Sequence, residues 1–117
     1  MAEIERIEPS ARLSRAVIYN GVAYLAGQTS VDRAPDIRVQ TRDVLARIDA
    51  RLAQLGTDKS RLLTALIMIK NIKDDFAGMN EIWDAWTAPG NAPTRASLEA
   101  NLASSDALVE IIVTAAV

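Results

Sequence analysis

The sequence predicts an α+β domain in which a mixed β-sheet carries two helices on one face. Three observations lead there. Residues 15–29, RAVIYNGVAYLAGQT, place two Val-, Ile- and Tyr-rich stretches around Asn20-Gly21, residues that tolerate the positive φ of a type I′ hairpin turn. Two helix-periodic stretches then flank one nearly continuous apolar run, and two further strand-like segments close the chain.

The first helix opens at Asp36, whose carboxylate can cap it. Val39, Val44, Leu45, Ile48, Leu52 and Leu55 fall on one stripe, and Gly56 stops it. The run from Leu62 to Ile72, LLTALIMIKNI, reads as a strand covered on both faces. Asp74 or Asp75 is expected to cap the second helix, with Phe76, Met79, Ile82, Trp83 and Trp86 as its stripe and Pro89-Gly90 as its end. Along 94–102 the side chains alternate, with Ala96, Leu98, Ala100 and Leu102 opposite Arg95, Ser97, Glu99 and Asn101, so one face is wet or an interface. The last strand sets Val109, Ile111, Val113 and Ala115 against Leu108, Glu110, Ile112 and Thr114.

Helices separated by single strands imply parallel crossovers, and a hairpin at each end adds antiparallel neighbours. Right-handed crossovers place both helices on one side. The other face is then left bare and partly apolar, which predicts self-association.

With 117 residues, half of them hydrophobic, the chain makes a single domain over 1–117, and no Pro-, Gly- or Ser-rich stretch marks a linker. The opening MAEIERIEPS lacks an apolar leader core, and no segment reaches the roughly 18 apolar residues of a membrane span, so the expected location is cytoplasmic with no membrane partner. Without Cys or His, thiolate nucleophiles, zinc-finger sites and histidine acid–base catalysis are unavailable. A net charge of −2, from 13 Lys and Arg dispersed among 15 acids, argues against a nucleic-acid partner.

Arg95 and Glu110 stand out, because they put a charge of each sign in the two strands expected to be most buried. A carboxylate inside an apolar tail must be paired, hydrogen-bonded or protonated. For Glu110 the plain alternative is a salt bridge that fixes an interface; for Arg95 it is a solvated cation at a strand edge.

The chain resembles the RidA/YjgF imine-deaminase family, also known as the endoribonuclease L-PSP family, over nearly its whole length. The marks are Gly27-Gln28, Asp75-Phe76 with Met79-Asn80 four residues on, Pro93 two residues before Arg95, and Glu110 within Val-Glu-Ile. The resemblance implies a chorismate-mutase-like fold, a homotrimer with ligand clefts between subunits, and hydrolysis of 2-imino or 2-enamino acids to 2-oxo acids and ammonia, with neither metal nor cofactor. It implies that Arg95 binds the substrate carboxylate and that Glu110 positions or activates water, both catalytic roles. Asn80, the backbone around Gly27, and Ser97 would line the same cleft, with simple packing or turn geometry as the alternative.

The chain departs from the family pattern at three points. Ala11-Arg12-Leu13 stands where Gly-Pro-Tyr is usual, so the substrate-binding position of that Tyr falls on Leu13; Ala26 replaces a common Ser, and Ser97 a common Cys. Trp83 and Trp86 stand where Tyr or Phe is frequent and are expected in the core or an interface. Two other functions compete with the deaminase: a non-catalytic trimeric binder of small carboxylates and, least compatible with the acidic composition, an endoribonuclease or translation inhibitor.

Overall fold

In the computed structural model, which describes residues 3–117, Asn20 and Gly21 both take positive φ, 52° and 77°. They join β2 (Ser14–Tyr19) to β3 (Val22–Leu25) in the antiparallel hairpin that the sequence predicts. A strand missing from the sequence reading precedes it: β1 (Glu5–Pro9) pairs antiparallel with β2. Its charges conceal it, since only Ile7 packs against the core, and a charged strand ending in Pro suits a sheet edge.

The remaining strands are β4 (Leu62–Ile69), β5 (Thr94–Glu99) and β6 (Val109–Ala116), and the six-stranded order is β1-β2-β3-β6-β4-β5. Only β4 and β5 run parallel. The expected terminal hairpin is therefore wrong: β6 inserts between β3 and β4, and β5 lies at the outer edge. The side chains explain the placement. β6 is apolar on both faces apart from Glu110 and Thr114 and takes the centre, whereas β5 carries Arg95 and Glu99 and takes the edge. Arg95 is consequently exposed, and its strand is not among the most buried.

α1 (Ile37–Gln54) begins as predicted, with Asp36 Oδ1 accepting from the N–H of Arg38 at 2.8 Å and of Val39 at 3.3 Å. Val44, Leu45, Ile48 and Leu52 are buried on it. α2 (Ile72–Trp86) starts earlier than expected, because Asn71 and neither aspartate is its N-cap. Asp74 and Asp75 instead occupy the first turn, where negative charge complements the helix dipole. On α2 Met79 and Trp83 are buried and Trp86 packs half-buried at the core's margin, but Phe76 is exposed.

The core lies between both helices and one sheet face, formed by Ala23, Leu25, Ala65, Ile67, Ile69, Val109, Ile111 and Val113. The opposite face is uncovered. Tyr24 and Leu98 stand there 48% and 41% exposed, with Leu66, Met68 and Ile112 partly exposed between them. No helix among the described residues is long and apolar enough to cross a membrane.

Candidate functional site

The parallel register sets Arg95 beside Ala65 and Ser97 beside Ile67, both core residues, so Arg95 and Ser97 project toward α2. There Phe76, Asn80 and Trp83 follow one another at i, i+4 and i+7, a single helical stripe. Arg95 Nη1 donates to Asn80 Oδ1 at 2.7 Å. The guanidinium carbon stands 5.9 Å from the Phe76 ring centre and 5.7 Å from that of Trp83, within cation–π range. Ser97 Oγ is buried on the same face without a hydrogen-bond partner. Glu99, two residues further, accepts from the Ile72 N–H at 3.1 Å, so β5 satisfies an amide at the start of α2.

Glu110 occupies the other face. It pairs across the sheet with Met68 on the uncovered side and is half-buried, and none of the three ion pairs among the described residues includes it. Beyond β3 the chain bridges back to β6: the Gln28 N–H donates to Ile111 O at 2.9 Å, and the Ile111 N–H to Gln28 O at 3.0 Å. That bridge lays Gly27 against Glu110. A Cβ on Gly27 would overlap Glu110 Oε2 and stand 3.3 Å from Ile112 Cγ1. The sequence left open whether Gly27 marks close packing or a site; the close approach is to the Glu110 carboxylate itself.

The residues predicted to share a site thus fall into three places in one protomer. Arg95, Asn80 and Ser97 form one group at the β5 edge, and Gly27 and Glu110 another on the opposite face. Leu13 belongs to neither. It lies 44% exposed in the tight turn joining β1 to β2, where Ser10 Oγ donates to its carbonyl at 2.9 Å. Four strand spacings, roughly 19 Å, separate β2 from β5.

A family profile described as Endoribonuclease L-PSP matches residues 3–117. A RutC family protein of Haemophilus ducreyi is 48% identical over 114 residues, covering 97% of each chain. The chain belongs to the RutC/YjgF/Rid family. The fold is also that of solved RutC/YjgF/Rid structures. A YjgF-family protein of Neisseria meningitidis superposes with a TM-score of 0.92 at 41% identity, over 97% of this chain and 94% of that one. A Rid-family protein of unknown function from Yersinia pestis gives 0.89 at 32% identity, over 98% and 100%.

Residues that sequence reasoning missed position the segment leading to Glu110. Gln40 is fully buried, and its side chain is satisfied at both ends: Nε2 donates to the carbonyls of Ala34 and Asp106 at 3.0 Å each, and Oε1 accepts from the Leu108 N–H at 2.8 Å. It fastens α1 to the segment entering β6 and so fixes where β6, the strand that carries Glu110, begins. Arg33 holds the same segment through Asp106 at 2.6 Å. The signal was available, since Gln40 falls between Ile37 and Val44 on the buried stripe, where a polar side chain requires partners. At the start of α2, burial pushes the Asp75 carboxyl above its ordinary 3.8, and Asp74 and Asp36 add to the shift.

A groove of about 490 Å³ runs between α1 and α2, lined by Leu45, Asp49, Ile82 and Trp86 among others. It contains none of the predicted site residues. Trp86 closes one side by donating Nε1–H to Asp49 at 2.9 Å, which makes the groove part of the helix–helix seam.

Proposed function

We propose that the chain is a cytoplasmic enzyme that hydrolyses 2-imino and 2-enamino acids to 2-oxo acids and ammonia, in clefts between the subunits of a homotrimer. The observation that carries this reading is Arg95, an exposed guanidinium at a free sheet edge, fixed through Nη1 while its Nε–Nη2 edge has no protein partner among the described residues. That planar edge fits a carboxylate in two-point geometry. The apolar sheet face left open by the helices supports self-association, since a contiguous apolar surface on a small domain marks an interaction site. Because Arg95 and Glu110 stand on opposite faces, one ligand meets both only across a subunit boundary.

With the carboxylate on Arg95, Glu110 of the partner subunit orients a water toward the electrophilic carbon. The water oxygen bonds to that carbon while the C=N π electrons move to nitrogen, which takes up a proton. Glu110 accepts the water's proton and returns it to nitrogen. The carbinolamine then collapses: its hydroxyl proton passes through Glu110 to the amine nitrogen, the C–N bond breaks, ammonia leaves and the C=O bond forms.

A second reading, a carboxylate binder without turnover, is favoured by Leu13 and Ala26, which supply no hydroxyl where the family usually has one. The endoribonuclease in the family's description finds no support in the charge: 13 cations are outnumbered by 15 acids. Ammonia release from a freshly generated 2-imino acid tests the proposal. Wild type should accelerate it, and Glu110→Gln should keep the assembly and carboxylate binding but lose turnover. Carboxylate binding by wild type with ammonia released only at the uncatalysed rate selects the binder.

A further inference from the structure

We propose that Asn80 is a positioning residue that aims Arg95 without neutralising it, and that this uncharged acceptor lets the site take an anionic ligand. The inference rests on the reading of Arg95 as the carboxylate-binding residue and adds what holds it ready. Among the described residues, Arg33, Arg38 and Arg51 are each held by a carboxylate, from Asp106, Glu81 and Glu8 respectively. Arg95 is held by an amide oxygen at 2.7 Å instead. An amide fixes geometry as a carboxylate does, yet contributes no formal charge, so the full positive charge remains for a ligand.

The surroundings follow the same logic. Phe76 and Trp83 lie within cation–π distance and favour the cation without compensating it. Glu99, on the same strand face, is engaged with the Ile72 N–H. Since Asn80 takes Nη1, the edge left over is Nε–Nη2, the side-on fork that a carboxylate grips with two parallel hydrogen bonds. Asn80 on α2 thus sets the orientation of Arg95 on β5 while leaving its charge uncompensated.

A merely structural Asn80 and a charge-sparing one predict opposite results for Asn80→Asp, which keeps the acceptor and adds a negative charge. Titration calorimetry with pyruvate as the 2-oxo acid, run beside thermal melting, separates them. The expected affinity order is wild type, then Asn80→Ala, then Asn80→Asp, with the Asp variant weaker than wild type by about tenfold or more, the factor carried by one hydrogen bond to a charged group. Its melting temperature should match or exceed that of Asn80→Ala. Wild-type affinity in Asn80→Asp overturns the inference and leaves the Arg95 reading standing. No pyruvate binding by wild type, with Arg95→Ala indistinguishable from it, overturns that reading and the inference with it. If Asn80→Asp does not fold, Asn80→Ala decides: weaker binding at unchanged melting supports the positioning role, and unchanged binding overturns it.

Discussion

Arg95 and Glu110 leave one sheet from opposite faces, Arg95 on edge strand β5 toward α2 and Glu110 on β6 toward the uncovered side, with β4 between them. A two-faced sheet separates them as firmly as a wall, because side chains at this register cannot cross it. Under the proposed assembly, a small ligand that uses both would sit where the β5 edge of one subunit meets the open face of another.

This separation predicts complementation. Arg95→Ala and Glu110→Gln should each be inactive alone, but mixed subunits allowed to exchange should regain activity. In a ring of equivalent clefts, random assortment of equal amounts gives about one quarter of the clefts an intact pair. Subunit exchange demonstrated by mass spectrometry with no recovered activity would place both functions within one subunit and reject the shared cleft.

Arg95→Lys tests the fork alone. An ammonium keeps the charge but cannot reproduce two-point planar contact or the hydrogen bond to Asn80 in the same pose. Carboxylate affinity should fall by about 1.5 to 3 kcal/mol, the range for a hydrogen bond to a charged group. Unchanged affinity in calorimetry would return Arg95 to the role of a solvated edge cation.

Gly27→Ala tests Glu110 without touching it. The φ of Gly27 is not in the left-handed region, so alanine carries no backbone strain there, but its methyl would occupy the place of Glu110 Oε2. The end of a flexible side chain can swing away, and Ile112 need yield only slightly. Melting and carboxylate binding should stay close to wild type while turnover falls. A Gly27→Ala enzyme with wild-type turnover would mean that the present pose of the Glu110 carboxylate is not the reactive one.

What the sequence made legible was what local chemistry decides. The Asn20-Gly21 turn, the Asp36 cap and the α1 stripe from Val44 to Leu55 each depend on residues within a few positions and formed where the pattern put them; at the start of α1 the buried stripe is Ile37, Gln40 and Thr41, and Val39 lies only partly buried beside it. Strand order was not local. Whether β6 pairs with β5 or inserts beside β3 depends on which strand is apolar enough to be flanked by a neighbour on each edge, a competition between segments distant in the chain. β1 was illegible for another reason: an edge strand need bury little, so Glu5, Arg6 and Glu8 carry no alternating signal. For the site, residue types at Arg95 and Glu110 drew attention because charges in strand patterns are unusual, yet alternation within each strand could not tell which sheet face the two strands share. Asn80 was found by resemblance alone, and its hydrogen bond to Arg95 required the packing of α2 on β5.

The half-buried Asp75 gives a prediction whose sign is opposite to that of a paired carboxylate. Burial, and then the negative charges of Asp74 and Asp36, raise its folded-state value above the ordinary 3.8. The folded chain therefore binds this proton more tightly than the unfolded chain, so stability from this group falls as pH rises from 3.8 through the raised value. Above that window the ionised group costs stability in full; below 3.8 both states are protonated and the cost is gone. The positive end of the α2 dipole opposes this, because Asp75 lies in the first turn. Asp75→Asn should accordingly melt higher than wild type near pH 7, with the gap closing as the pH is lowered to about 4. Melting curves of both proteins across that range decide the matter: a variant less stable than wild type near neutral pH would show that the helix dipole outweighs burial and the two neighbouring aspartates.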